Sequence, residues 1–153
     1  MKLELRQKLT LFSAKYEVLD EAGTLLYTAE CLPPFGNKLT LRDADGGEVA
    51  ELVRETFTFG LRYEIRRDGQ KTGSIAREFD LFQPPFVVEH RGWRTKGEPF
   101  RFDYTVFDTA GAAVAVAAKR RWEMTDIYEL EITDPDDACD VLLLALAIDL
   151  SRS

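Results

Sequence analysis

Apolar and polar residues alternate with a period of two in short stretches along this chain, and several of those stretches run into the same ending. "KYEVLDEAG" at 15–23, "KLTLRDADG" at 38–46 and "DYTVFDTAG" at 103–111 each place an aromatic or aliphatic residue, another apolar residue two places on, and then Asp-x-x-Gly; "RYEIRRDG" at 62–69 is a shortened copy. The pairs Tyr16/Val18, Tyr63/Ile65 and Tyr104/Val106 are residue types that favour strands, and their spacing puts both members on one face. The Asp side chain can accept from nearby backbone N–H groups, and Gly23, Gly46 and Gly111 can take positive φ, so each motif predicts a strand entering a hairpin turn with a bulge. Turns are expected at 20–23, 43–47, 67–70 and 108–111, Asp68-Gly69 being the two-residue form.

The residues that open each unit are Tyr16, Leu39, Tyr63, Phe86, Tyr104 and Tyr128, at intervals of 23, 24, 23, 18 and 24. So even a period marks repeated supersecondary units. Each unit reads as a strand, a turn and a second strand such as "GEVAELVRETF" or "KTGSIAREFDLF". With an opening strand at about 3–9 and a last one near 127–132, the total is about twelve strands in sequence-adjacent antiparallel pairs. A sheet of that size escapes exposed edges by closing, so the expectation is a mainly β protein, a closed antiparallel barrel, in one domain over 1–153. A barrel so wide needs something inside it.

The segment "DPDDACDVLLLALAIDLSRS" supplies the candidate. Asp134 suits an N-cap, Pro135 the first helical position, and Asp136 and Asp137 the positive end of the helix dipole. Val141 to Ile148 is apolar throughout, which predicts a helix buried on all sides. Eight apolar residues between Asp140 and Asp149 are too few for a transmembrane span, which needs about 20. The two carboxylates lie about half a turn apart, so they must sit at the two barrel mouths or be paired. Arg120 is the predicted partner, on the expectation that it alternates with an inward set of Val114, Val116, Ala118 and Trp122.

The 153 residues carry 20 Lys and Arg against 27 Asp and Glu, a net charge of −7, which disfavours nucleic acid. Cys31 and Cys139 lie 108 positions apart in apolar surroundings, without metal-ligand spacing, and read as buried thiols. The opening "MKLELRQKL" lacks the apolar run of a secretion signal, and a cytoplasmic protein is the expectation.

The hairpin motifs of the "KYEVLDEAG" type, the junctions "RETFTFGLRYEI" and "KRRWEMTDIYELEI", and the Asp-rich start of an apolar C-terminal helix together resemble the LURP-one-related family of the tubby C-terminal-like superfamily, in its small bacterial-type form. The resemblance covers about residues 3–150. It implies a twelve-stranded barrel around a central hydrophobic C-terminal helix. For function it implies an analogy with tubby proteins, which bind phosphoinositides, and with phospholipid scramblases, which share the fold; fold alone does not transfer either activity.

A headgroup site needs converging cations, and a strand puts alternate residues on one face, so Lys119 and Arg121 are the candidate ligand-binding residues together with Arg62. Arg66, Arg67, Arg91, Arg94 and Lys96 are secondary candidates, and Arg120 points the other way. Asp20, Asp43, Asp45, Asp68 and Asp108 are explained by turn chemistry, and "DADGGE" lacks the ligand positions of a calcium loop. His90 is the single histidine, and no nucleophile elbow, phosphate loop or dinucleotide fingerprint occurs. Trp93, Phe100, Phe102, Trp122 and Tyr128 read as core, and "RGWRTKGEP" as an irregular loop. The expected function is a non-enzymatic binding module without metal or cofactor, its candidate partner a phosphoinositide or other anionic lipid and its place peripheral to the membrane. The alternative is a structural or protein-interaction module with no small-molecule ligand.

Overall fold

A computed structural model describes residues 1–9, 13–32, 37–56, 60–79, 84–121 and 127–152, with Leu9 and Arg121 described by backbone alone. Twelve strands follow one another: β1 (Lys2–Leu9), β2 (Ala14–Leu19), β3 (Leu25–Cys31), β4 (Lys38–Asp43), β5 (Glu48–Arg54), β6 (Arg62–Arg67), β7 (Gln70–Arg77), β8 (Phe86–Val88), β9 (Trp93–Glu98), β10 (Asp103–Phe107), β11 (Ala113–Arg121) and β12 (Ile127–Ile132). Each pairs antiparallel with its sequence neighbours, and β1 pairs with β12, from Lys2 opposite Glu131 to Arg6 opposite Ile127, so the barrel is closed. The six residues that open the sequence units fall on the six even-numbered strands and point inward: Tyr16, Leu39, Tyr63, Phe86, Tyr104 and Tyr128 are all buried. The period of the sequence is the period of the barrel, two strands at a time.

The turns have the expected chemistry. Asp20 Oδ1 accepts from the backbone N–H of Ala22 and Thr24, Asp43 Oδ1 from those of Asp45 and Gly47, and Asp108 Oδ1 from those of Ala110 and Ala112. Gly23, Gly46 and Gly111 take φ of 81°, 87° and 83°, and beside each turn the register shifts by a bulge, between Val18 and Leu19, Leu41 and Arg42, and Val106 and Phe107. Asp68 and Gly69 both have positive φ, as a two-residue hairpin that follows the right-handed twist requires.

Two expectations fail locally. The bulge at the start of β11 inserts Val114, which reverses the alternation: Ala115 and Ala117 face inward while Val116 is 45% exposed. Arg120 therefore faces outward, where it pairs with Glu4 and with Glu129, and it is not the partner of either helix carboxylate. "RGWRTKGEP" is no irregular loop: Trp93–Glu98 is strand β9, Trp93 and Thr95 buried and Arg94 exposed between them. Trp93, Phe102 and Tyr128 are core as expected and Phe100 packs against it; Trp122 lies outside the described residues.

Helix α1 (Ala138–Arg152) follows a 3-10 turn at Pro135–Asp137, where the Asp134 side chain accepts from the Asp136 N–H at 3.0 Å. Every residue from Asp140 to Leu150 is buried, so no stripe of the helix reaches solvent. The helix fills the barrel and forms one core with the inward side chains of the strands.

Candidate functional site

The strand order gives the barrel two mouths. At the helix-entry mouth lie the β2–β3, β4–β5, β6–β7, β8–β9 and β10–β11 hairpins, the start of β1, the end of β12 and the start of α1; at the helix-exit mouth lie the other strand ends, a 3-10 turn at Pro99–Arg101 and the end of α1. Each mouth resolves one of the two helix carboxylates.

At the entry mouth Asp140 accepts from Arg67 at 3.3 Å and from Arg91 at 3.0 Å, with His90 Nε2 at 3.3 Å; Arg91 also pairs with Asp137. The His90 ring lies so close to β7 that a Cβ on Gly73 would come within 2.2 Å of Nδ1. A carboxylate near the first turn of a helix, held by two guanidinium groups, anchors that end in the barrel. Cys139 beside it is half-buried rather than fully buried as Cys31 is, and accepts a weak contact from Arg67 at 3.5 Å. Burial pushes the Cys139 thiol pKa up, away from the thiolate a nucleophile needs.

At the exit mouth cations converge. Residues directly opposite in an antiparallel pair share a face. Arg54 opposes Tyr63, Arg77 opposes Phe86 and Lys119 opposes Tyr128, so all three cations belong to the lumen side, at the strand ends where the lumen opens. The Arg77 guanidinium stands 4.4 Å from the centroid of the Phe100 ring. Phe100 O in turn accepts from Arg152 at 2.9 Å. Arg152 reaches the Tyr128 hydroxyl at 2.7 Å, and the Lys119 ammonium lies 5.8 Å from the same Tyr128 ring. Phe100 and Tyr128 thus link Arg77, Arg152 and Lys119 into one chain of contacts around the last turn of α1, where the helix dipole favours positive charge.

Beneath this basic rim sits Asp149, its side chain 1% exposed. It accepts from the Tyr16 hydroxyl at 2.6 Å and the Tyr128 hydroxyl at 3.2 Å and pairs with Arg152 at 3.1 Å. Burial first, and the neighbouring Asp149 carboxylate second, hold the Tyr16 phenol far above its ordinary pKa, so it stays a donor. The Tyr104 hydroxyl is fully buried with no hydrogen-bond partner among the described residues.

Of the three sequence-predicted site residues, the structure brings Lys119 to this rim. Arg62 lies on the outer wall of β6, paired with Glu89 at 3.1 Å, and β7, β8, β9 and β10 separate it from β11. Arg121 is paired through its backbone with Ile127, and its side chain lies outside the described residues. Arg66 pairs with Glu64, Arg94 with Glu78, and Arg67 and Arg91 with the helix start, so these cations serve the barrel itself. On the outer wall a cleft of about 510 Å³, lined by Pro85, Arg94, Lys96, Phe107 and Thr109 among others, is open, with Lys96 5.4 Å from the Phe107 ring. Sequence reasoning missed Arg54, Arg77 and Arg152. The signal existed for two of them: each comes two residues after an inward aliphatic, Leu52 or Ile75, and so continues the lumen face past the end of the apolar core.

Among the described residues, no group of His, Cys, Asp and Glu is placed to hold a metal ion, and no helix is long and apolar enough to cross a membrane.

A closed antiparallel barrel filled by its own C-terminal helix defines the structural class, and comparison with known proteins names the family. The chain belongs to the LURP-one-related family, whose model matches residues 1–149. It is similar to the uncharacterized protein YxjI of Bacillus subtilis (strain 168), 21% identical over 152 residues that span 98% of this chain and 93% of that protein. Its fold is similar to the X-ray structure of a protein from Arabidopsis thaliana, with a TM-score of 0.67 at 18% identity, over 99% of this chain and 92% of that one.

Proposed function

We propose that this protein is a non-enzymatic binding module that recognises an anionic phospholipid headgroup, phosphoinositides included, at the helix-exit mouth. The observation that carries the reading is the placing of Arg77, Lys119 and Arg152 around one helix end, with Arg54 on the same lumen face. Arg54 and Arg77 have no acid partner among the described residues, whereas the outer-wall arginines 62, 66, 94 and 120 each have one. Unpaired cations near an anionic surface contribute about 1 kcal/mol each. Among the described residues neither cysteine is poised as a nucleophile, which supports a binding role: Cys31 is buried, burial pushes the Cys139 thiol pKa up, and His90 is engaged by Asp140. A cytoplasmic protein peripheral to the membrane is the setting this reading requires.

Flotation of the full chain with phosphatidylcholine vesicles, with and without a phosphoinositide, across a salt series tests it. Binding that requires the anionic lipid, weakens with salt and drops in Arg77→Gln but not in Arg62→Gln is expected. No flotation even at low salt would remove the lipid reading and leave the protein-interaction module, which the net charge of −7 and the ion-paired outer wall favour.

A further inference from the structure

The outer wall of the barrel opens beside β9. β8 holds three residues against the six of β9, and Pro85 just before it has no N–H to give to a neighbouring strand. Backbone pairing of the two strands ends at Val87 opposite Arg94, and the next tie is made by a side chain, the Phe86 N–H donating to the Thr95 hydroxyl at 3.0 Å. Gly97 adds no side chain there: its φ is 115°, and a Cβ would stand 2.5 Å from the Asp103 carbonyl oxygen. Towards the entry mouth Thr109 packs so close to Gly92 that a Cβ on that glycine would come within 2.6 Å of its methyl, which joins the two hairpins. Between these points lies the cleft of about 510 Å³, lined by Pro85, Arg94, Lys96, Gly97, Phe107 and Thr109 among others. That volume falls within the ~300–1,000 Å³ of small-molecule sites.

The two cations of the cleft differ. Arg94 meets both carboxylate oxygens of Glu78, so its charge is already matched. Lys96 has no acid partner among the described residues, and its ammonium stands 5.4 Å from the centroid of the half-buried Phe107 ring. The Asp108 carboxylate, engaged by the N–H groups of Ala110 and Ala112, stands at the entry-mouth end and repels an anion towards Lys96. Glu98, which pairs with Arg101, and Asp103 opposite it lie one step past Lys96 and do not line the cleft. A bare anion would meet one exposed cation, which is worth little in water, and an uncharged ring would leave that cation unmatched. A flat ring that carries a carboxylate satisfies both, with its acid on the ammonium and its ring against Phe107 and Pro85.

We propose that this cleft binds a small aromatic carboxylate, its acid group on Lys96 and its ring against Phe107. The site is separate from the basic mouth: Arg94, Lys96 and Phe107 alternate along their strands with the buried Trp93, Thr95 and Val106, and so face outward. It stands independently of the lipid-binding reading, and the loss of either leaves the other in place.

The test follows the amide chemical shifts of the full chain while sodium 2-naphthoate is added at neutral pH. Saturable shifts that fit one site are expected at Lys96, Gly97 and residues 108–111. Acetate, which has the charge without the ring, and 2-naphthol, which has the ring without the charge at that pH, are each expected to bind about tenfold more weakly or less. Lys96→Gln, at an exposed position, is expected to weaken 2-naphthoate binding by about tenfold, and Lys38→Gln, on β4 and paired with Glu51, to leave it unchanged. Phe107→Leu, in a chain that melts cooperatively like wild type, is expected to weaken 2-naphthoate and not acetate. No saturable shift at Lys96 and 108–111, acetate or 2-naphthol binding as tightly as 2-naphthoate, or undiminished binding in Lys96→Gln overturns the site. Shifts that map instead to Arg77, Phe100 and Arg152 overturn it too, and place the anion at the basic mouth.

Discussion

The hydroxyl of Tyr16 on β2 donates to the carboxylate of Asp149 on α1 at 2.6 Å, joining residues 133 positions apart inside the barrel. Asp149 also accepts from Tyr128 and pairs with Arg152, so one buried carboxylate ties the wall, the helix and the basic rim together. Replacing it with Ala would remove the carboxylate that pairs with Arg152 and accepts from two phenols. Asp149→Ala is expected to destabilise by about 3–5 kcal/mol and Tyr16→Phe by about 1.5–3 kcal/mol, read from urea midpoints at constant m.

The alkaline limit of stability follows from the same tyrosines. Burial raises the Tyr63 phenol to about 12 and drives Tyr16 and Tyr104 higher still, while an unfolded chain releases these protons near pH 10. The folded state therefore binds more protons than the unfolded state above pH 10. The stability these groups contribute is complete below pH 10 and is lost as pH rises from 10 towards 12 and beyond. Unfolding midpoints are expected to fall steeply there, with tyrosinate absorbance from the buried rings emerging only on unfolding; gradual titration within the folded protein would contradict the burial of these rings.

Tyr104→Phe separates a hydroxyl that is buried from one that is used. Its oxygen has no partner among the described residues, so deleting it removes a desolvation cost and no hydrogen bond. The variant is expected to match wild type within about 0.5 kcal/mol or to exceed it, in contrast to Tyr16→Phe, by thermal melting under identical conditions.

Leu144 is 1% exposed in the middle of a helix with no solvent-facing side. Leu144→Ala is expected to cost about 2–5 kcal/mol, because a closed wall of strands cannot collapse into the space left. Removing everything from Pro135 onward should abolish cooperative unfolding by circular dichroism, since the strands would then enclose nothing.

Gly111 has φ of 83° and open space where a Cβ would stand, so any penalty there is conformational rather than steric. Gly111→Val is expected to lower stability by about 1 kcal/mol or more, seen as a shifted melting midpoint without loss of fold.

How far the sequence could be read depended on the range of the interaction. The Asp-x-x-Gly turns and the inward openers are local, and Tyr16, Leu39 and Tyr63 announced their strands with their immediate neighbours. The helix announced itself too, because Asp134-Pro135 and an eight-residue apolar run need no tertiary context. The phase of β11 was not legible, since it turns on one extra residue, Val114, accommodated against β10. From that slip came the assignment of Arg120 to the helix, when it meets Glu4 and Glu129 outside. The basic mouth was hidden for a different reason. Arg77, Lys119 and Arg152 come from β7, β11 and the end of α1, and only barrel closure and the position of Phe100 and Tyr128 bring them into one set of contacts. Arg62 and Lys119 look alike in sequence, and the face each takes on its strand, together with strand order, parts them.

The order of the chain also constrains its birth. The part that fills the barrel is made after all twelve strands, and β12, the strand that closes the ring against β1, comes just before it. Each hairpin can form as it leaves the ribosome, but the inward faces carrying Tyr16, Leu39, Tyr63 and Phe86 stay without the helix that covers them until α1 has been made. Until then the nascent barrel is an open apolar ribbon, so its closing waits on the helix, and a ribosome stall before residue 138 leaves a product suited to a chaperone or a protease rather than to work.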